Sequence, residues 1–156
     1  MTDAARHTRA IGEALGSAAQ PGSVIALIGP LGAGKTELAK GVAAGLGVTS
    51  TVNSPTFILM NEHAGRLRLF HVDAYRLDDP DEALAAGLLD ERQARGVSVI
   101  EWADRLDGLL PEERLDIVIV PDQARHDRRT LRWRAHGTQH QRLAATALES
   151  TAQEPG

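Results

Sequence analysis

The fold of this chain is decided by residues 29–36, which read Gly29-Pro30-Leu31-Gly32-Ala33-Gly34-Lys35-Thr36. The stretch matches the complete G-x-x-x-x-G-K-[ST] pattern of a phosphate-binding loop. Its glycines allow the chain to curl so that successive backbone N–H groups point at one oxyanion. The lysine adds a positive charge for the outer phosphates, and the threonine hydroxyl can reach a magnesium ion. We therefore predict nucleotide contacts from Leu31, Gly32, Ala33, Gly34, Lys35, Thr36 and Glu37.

The sequence on either side of the loop has the pattern that such a loop requires. Residues 24–28 are a short apolar run, typical of a buried parallel strand. After the loop, Leu38, Val42 and Leu46 recur at helical spacing, and Gly47 lies where a helix would end. The helix is expected to begin at about Lys35, with the positive end of its dipole towards the phosphates. Strand, glycine loop and helix thus follow in the correct order for nucleotide binding.

Length and composition indicate one ordinary globular domain. The chain has 156 residues, of which 42% are hydrophobic and 24% charged, and these values fit a single domain over residues 1–149 with a disordered tail at 150–156. The absence of cysteine excludes a disulfide framework and thiolate metal sites. The longest apolar runs are far too short to span a membrane, so we expect a cytoplasmic protein with no membrane contact.

The remaining periodicities predict an α/β fold. An N-terminal helix is expected over residues 3–19, a helix beginning at Asp81, and a final helix over residues 139–148. Strands are expected at 57–61 and 67–72, which would form a hairpin, and at 97–100, 115–120 and 130–135, the last of these at an exposed edge. The predicted architecture is a three-layer P-loop NTPase sandwich with a mixed, mainly parallel central sheet.

Two acidic residues follow predicted strands and are candidates for the magnesium side of the site. Glu101 follows the short, largely apolar strand 97–100, which suits a central position beside the P-loop strand. Asp73 follows a strand that contains arginines and His71, which suits a position nearer an edge. Either acid could be an ordinary residue at a strand end. We favour Glu101 with Thr36 as metal ligands and Asp73 as the residue that orients water, and we predict Lys35, Asp73 and Glu101 as the catalytic set.

Trp102 directly follows Glu101 and is one of only two tryptophans in the chain. Two interpretations stay open on the residues alone. The indole can be part of the core, as most tryptophans are, or it can lie at the rim of the nucleotide site beside the metal ligand.

Four blocks together resemble one family. They are the loop 29–36, Asn53-Ser54-Pro55-Thr56-Phe57, His71-Val72-Asp73-Ala74-Tyr75-Arg76-Leu77 and Ile100-Glu101-Trp102. In this order and spacing the chain closely resembles the TsaE (YjeE) family of small bacterial P-loop ATPases, over roughly Ala10 to Gly137. That family acts in making the threonylcarbamoyladenosine modification of tRNA beside the anticodon.

The resemblance implies roles for particular residues. Lys35 and Thr36 match phosphate- and magnesium-binding positions, and Ser54, Pro55 and Thr56 match a switch loop that faces the γ-phosphate. Asp73 matches a required acid, Glu101 a magnesium ligand and Trp102 a position near the nucleotide. Thr8 and Arg129 align weakly with positions that contact the base.

The resemblance also implies cofactors and partners. ATP and Mg²⁺ are the expected cofactors, and the expected partners are the TsaD and TsaB proteins, whose heterodimer performs the carbamoyl transfer. The ATPase itself is expected to be weak alone and to be activated by these partners. Any contact with tRNA is expected to be indirect.

Three positions depart from the family pattern. Pro30 stands where an aspartate is usual, Glu37 where a second threonine is common, and His63 where an aromatic residue is common. None of these side chains is needed for the backbone cradle of the phosphates. Glu37 nevertheless introduces a negative charge close to the expected phosphate site.

Two other function classes remain alternatives. A small-molecule or nucleoside kinase on the same fold would use arginines of residues 125–134 as a lid over a second substrate. A non-enzymatic, nucleotide-gated interaction module could use the same basic stretch to bind a partner or RNA, although arginine strips are usually solvated faces. An assay with ATP that compares phosphorylated product with free phosphate distinguishes a kinase from an ATPase. The salt dependence of tRNA binding tests whether the basic stretch binds RNA.

Overall fold

The computed structural model describes residues 5–30, 34–49, 60–74, 91–106, 110–121 and 129–149. The central loop residues 31–33, the predicted switch loop 54–56, the helix predicted to begin at Asp81 and the tail 150–156 lie outside the described residues. The extent of the single domain therefore stays a prediction.

The described part of the chain contains three longer helices and six strands. The helices are α1 (Ala5–Ala18), α2 (Lys35–Gly45) and α3 (Thr138–Ala144), and α3 continues into a π-helical turn over Ala145–Glu149. The strands are β1 (Val24–Ile28), β2 (Met60–His63), β3 (Leu69–Asp73), β4 (Val97–Glu101), β5 (Arg114–Pro121) and β6 (Arg129–His136). Short 3-10 helices cover Glu91–Arg95 and Ala103–Leu106.

These strands form a six-stranded sheet in the order β2-β3-β4-β1-β5-β6. The four inner strands are parallel to one another, whereas β2 and β6 pair antiparallel at the two edges. This confirms the predicted mixed, mainly parallel sheet, the β2–β3 hairpin and the edge position of β6. Strand β4 pairs directly with β1, as its apolar sequence indicated, and β3 lies one strand from the edge.

The hairpin is slightly displaced from its predicted bounds. The strand predicted to begin at residue 67 begins at Leu69. Arg66, shortly before it, makes contacts with helix α1 instead. Arg66 reaches back to the end of α1, where its Nη2 donates to the carbonyls of Gly16 and Ala19 at 2.9 Å each. Its guanidinium thus satisfies carbonyl groups that the helix end would otherwise leave without partners.

The core lies on both faces of the sheet. The larger cluster packs α1, α2 and α3 against one face through residues such as Leu15, Leu38 and Leu143. On the other face, a smaller cluster of Val24, Ala26, Val72, Ala74, Ile100, Ala103 and Leu106 lies under the 3-10 helix Ala103–Leu106. Every residue of β4 is buried, which is consistent with its apolar Val97, Val99 and Ile100 and with its place in the middle of the sheet.

Helices α1 and α2 approach so closely that their backbones are in contact. A Cβ atom on Gly12 would lie 2.2 Å from the Leu38 carbonyl oxygen, and one on Gly16 would lie 2.1 Å from that of Val42. On the facing helix, Gly41 and Gly45 approach the carbonyls of Arg9 and Glu13 at 2.1 and 2.2 Å in the same way. The pairing of these positions shows that the two helices run parallel, so the start of α1 lies beside the start of α2 and the phosphate loop.

In the described part of the chain, no helix is both long enough and apolar enough to cross a membrane.

Candidate nucleotide and magnesium site

The predicted site residues lie at the carboxyl ends of neighbouring parallel strands. Strand β1 ends at Ile28, just before the glycine loop, and its neighbour β4 ends at Glu101. Asp73 ends β3 and is the register partner of Glu101. In open α/β sheets, ligands bind at the carboxyl ends of the strands, because loops and helix N-termini converge there.

Gly34 forms the junction between the loop and α2. Its φ of 106° lies in the left-handed region that favours glycine, and it occupies the N-cap position of the helix. Its carbonyl accepts the first helical hydrogen bond, from the Leu38 N–H at 3.0 Å. The second glycine of the motif is therefore required by the turn that aims the start of α2 at the site.

Lys35 is buried in the mouth of the loop. Its ammonium donates to the carbonyls of Gly29 at 2.6 Å and Pro30 at 2.8 Å, and it lies 3.8 Å from the ring centroid of Trp102. Burial lowers the pKa of Lys35 below its usual range, while the negative charges of Glu101, Asp104 and Asp73 oppose that shift. The ammonium is thus held by carbonyls and an aromatic face and surrounded by acids, at the position where a phosphate would meet it.

Thr36 and Glu101, the two predicted magnesium ligands, are in direct contact. The Thr36 hydroxyl Oγ1 donates to Glu101 Oε1 at 3.0 Å. Glu101 is only 2% exposed, and its second oxygen, Oε2, is hydrogen-bonded to Nε2 of the fully buried His71. Both oxygens of this carboxylate are therefore held in defined directions by residues from α2 and β3.

This pair of oxygens fits a magnesium ion. Ligand bonds of about 2.1 Å in an octahedron place neighbouring oxygens about 3 Å apart, and the Thr36–Glu101 oxygens are separated by 3.0 Å. Within the described residues there is no cluster of three or more histidines, cysteines or carboxylates suited to a metal. Magnesium typically takes only one or two carboxylates and completes its shell with phosphates and water. The donor set present is of that kind.

The side chain of Glu37 is directed away from the loop, towards α1. Its Oε2 accepts a hydrogen bond from Nε of Arg9 at 3.1 Å, and Lys40 lies 3.7 Å from its other oxygen. The two cations offset the negative charge that this departure from the family pattern introduces. The predicted nucleotide contact of Glu37 can then come from its backbone N–H, in the first turn of α2.

The indole of Trp102 contacts both the core and Lys35, the lysine predicted to bind phosphate. Its ring packs at the margin of the smaller core cluster and also faces the Lys35 ammonium. Its φ of 59° is the only positive value at a non-glycine residue in the described ranges. A bulky residue in this region is strained, and such strain is concentrated at functional sites.

The structure thus brings together five predicted site residues at the carboxyl ends of the parallel strands: Lys35, Thr36, Asp73, Glu101 and Trp102. Leu31, Gly32, Ala33, Ser54, Pro55 and Thr56 lie outside the described residues, as does the side chain of Arg129. Thr8 is buried in the first turns of α1. Sequence reasoning missed His71 as the partner of Glu101, although the alternation of β3 places it on the same face as Asp73.

Comparison with known proteins identifies the family of the chain. Residues 2–131 match the family model described as threonylcarbamoyl adenosine biosynthesis protein TsaE. The TsaE protein of Bacillus subtilis is 44% identical over 138 residues, covering 88% of this chain and 85% of that protein. The TsaE protein of Treponema pallidum is 40% identical over 117 residues, covering 75% of this chain and 87% of its own length.

A solved structure shares the fold. The crystal structure of Bacillus subtilis YdiB superposes with a TM-score of 0.74 at 35% sequence identity, covering 96% of this chain and 89% of that one. The family model and the two relatives each cover most of the chain. The chain therefore belongs to the TsaE family of threonylcarbamoyladenosine biosynthesis proteins.

Proposed function

We propose that this chain is the magnesium-dependent, ATP-binding and ATP-hydrolysing subunit of the cytoplasmic system that makes threonylcarbamoyladenosine in tRNA. Hydrolysis of ATP by this subunit would drive or reset the complex of the TsaB and TsaD proteins, which performs the carbamoyl transfer. The observation that carries the proposal is the Thr36–Glu101 oxygen pair, which lies beside the Lys35 ammonium at the carboxyl ends of β1 and β4. Membership of the TsaE family supports the pathway.

The residues divide the chemistry among them. Lys35 would neutralise the β- and γ-phosphates, and the backbone N–H groups at the start of α2 would bind the same oxygens. Thr36 Oγ1 and Glu101 Oε1 would hold magnesium, which when bound supplies charge neutralisation across the two outer phosphates. Asp73 would accept a hydrogen bond from the attacking water and orient it, a role that its position as the register partner of Glu101 supports.

Coupling to the partners requires an element that responds to the γ-phosphate. The family resemblance assigns this role to Ser54, Pro55 and Thr56. We infer that Mg-ATP holds this loop in one arrangement and that hydrolysis releases it, so that docking on TsaD changes with the nucleotide. Slow hydrolysis by the isolated chain and faster hydrolysis in the complex follow if the partners complete the water-activating groups.

Calorimetry and product analysis test this proposal. ATP titrated into the protein with Mg²⁺ should bind at one site, and labelled ATP should yield ADP and free inorganic phosphate, faster when TsaB and TsaD are present. A phosphorylated nucleoside or small acid, formed from a panel of acceptors, would instead establish the kinase alternative. Binding without hydrolysis in any combination of the three proteins would leave a nucleotide-gated module and contradict the proposed ATPase.

A further inference from the structure

His71 lies in the middle of β3, fully buried, with its ring on the face of the sheet that α2 covers. Its neighbours on that face include Leu69 and Val99, which belong to the larger apolar cluster. An imidazole is an expensive residue in such surroundings unless its polar atoms are satisfied. Its Nε2 is hydrogen-bonded to Glu101 Oε2, whereas Nδ1 has no hydrogen-bond partner within the described residues.

This pattern of contacts defines what the ring does. A carboxylate can only accept, so the hydrogen of the His71–Glu101 bond belongs to Nε2. The polar contact of the ring within the described residues is therefore directed at Glu101 alone. An apolar side chain would fill the same space, so packing does not explain a histidine here.

The bond to His71 determines which oxygen of Glu101 remains for the site. With Oε2 taken by Nε2, Glu101 presents Oε1, the oxygen that Thr36 Oγ1 contacts at 3.0 Å. Glu101 is also the strongest of the negative charges that act on the buried Lys35 ammonium. Without His71, the carboxylate could rotate towards that ammonium, and the two residues would neutralise each other instead of meeting metal and phosphate separately.

We propose that His71 is a positioning residue for the magnesium site: it fixes the Glu101 carboxylate so that Oε1 binds the ion beside Thr36 and so that Glu101 binds through one oxygen. The inference rests on the proposed function, because it needs Mg-ATP as the ligand. Ligating carboxylates are commonly held by hydrogen bonds of this kind, and losing such a partner typically lowers metal affinity about 10- to 100-fold.

The test is a Mg²⁺ titration of ATP binding, followed by calorimetry or by a fluorescent ATP analogue, in four proteins. His71→Leu removes the donor, and His71→Gln keeps an N–H near the position of Nε2. Val72→Ala serves as the matched control, because Val72 is equally buried in the same strand but its side chain lies on the opposite face. ATP affinity in EDTA is measured for each protein, because it reports the phosphate cradle alone.

We expect His71→Leu to need about 10-fold more Mg²⁺ for half of the effect on ATP binding. His71→Gln should stay within about threefold of the wild type, Val72→Ala should match the wild type, and the four affinities in EDTA should agree. If His71→Leu does not fold, His71→Asn replaces it, since that shorter side chain cannot reach Glu101.

Two results would overturn the inference: wild-type magnesium dependence in the variant without the donor, or an equal loss in His71→Gln and Val72→Ala. Failure of the wild type to bind ATP at all would instead contradict the proposed function, so the two failures are distinguishable.

Discussion

The Lys35 ammonium lies 3.8 Å from the ring centroid of Trp102, and Trp102 immediately follows Glu101, whose carboxylate accepts a hydrogen bond from Thr36. Consecutive residues at the end of β4 thus contact consecutive residues at the start of α2. The left-handed backbone of Trp102, with φ of 59°, makes this possible because it turns the indole towards the lysine. The strained residue thus lies between the lysine predicted to bind phosphate and the glutamate predicted to bind metal.

The first prediction concerns the fluorescence of Trp102. A protein with Trp133→Phe keeps only Trp102, and its emission should change when Mg-ATP binds, because the negative phosphates would change the electric field at the indole that faces the Lys35 ammonium. The matched Trp102→Phe protein keeps only Trp133, which lies on the edge strand β6, and its emission should stay constant. The reverse pattern would contradict the placement of Trp102 at the nucleotide.

Substitutions of Glu101 and Asp73 should separate the binding of Mg-ATP from its hydrolysis. We expect Glu101→Ala to weaken Mg-ATP binding by about 10-fold or more, since it removes the proposed metal ligand together with the hydrogen bond that Thr36 donates to it. Asp73→Ala should bind Mg-ATP within about threefold of the wild type but lose most hydrolysis, because its proposed role begins with the attacking water. Isotherms showing full affinity in Glu101→Ala and lost affinity in Asp73→Ala would reverse the two assignments.

The sequence predicted most of this arrangement because its signals were local or followed from strand order. The loop motif indicated Lys35 and Thr36, and the largely apolar run before Glu101 indicated a central strand next to β1. What it could not predict depends on pairing across long separations. The His71–Glu101 bond joins residues 30 apart in the chain, and it becomes visible only when β3 and β4 are aligned in register. The contact between Arg9 and Glu37 likewise requires that α1 and α2 be parallel.

The close packing of α1 and α2 yields a stability prediction with a clear sign. Helix propensity alone predicts that Gly16→Ala stabilises the protein by about 0.5–1 kcal/mol. In the structure the new methyl would lie 2.1 Å from the Val42 carbonyl oxygen, so the helices must separate. We therefore expect the free energy of unfolding, measured by urea denaturation, to fall by about 2 kcal/mol.

The control for this prediction is Ser17→Ala, an exposed position of the same helix, which should change stability by less than about 0.5 kcal/mol. A Gly16→Ala protein at least as stable as the wild type would show that the backbone contact between α1 and α2 is wrong.

The protonation of His140 should contribute to the pH dependence of the free energy of unfolding. Its Nε2 accepts a hydrogen bond from the Val24 N–H at 3.0 Å, and burial lowers its pKa below the ordinary value of 6.5, with the charge of Glu113 opposing. Below pH 6.5 the unfolded chain therefore binds a proton before the folded chain does. The free energy of unfolding is fully retained above that pH and falls as the pH decreases, by at most about 1.4 kcal/mol per unit.

A comparison with His140→Gln isolates this term, because glutamine offers a neutral acceptor to Val24 and does not titrate. Burial also lowers the pKa of His63, and that contribution is present in both proteins. Denaturation curves between about pH 7.5 and about pH 5, which span roughly one unit above and roughly 1.5 units below the ordinary histidine pKa, should show a steeper loss of stability for the wild type. Parallel curves would contradict the role of His140 as a buried, neutral acceptor.

The central claim is that ATP bound at Lys35, Thr36 and Glu101 drives a step in tRNA modification. Its most direct test is threonylcarbamoyladenosine formation over many turnovers in a reconstituted system with TsaB, TsaD, ATP and tRNA, comparing the wild type with Lys35→Ala. Lys40→Ala is the matched control, because that lysine belongs to the same helix but contacts Glu37 on its outer surface. We predict that Lys40→Ala sustains modification and that folded Lys35→Ala does not, whereas modification at the wild-type rate by Lys35→Ala would contradict the account.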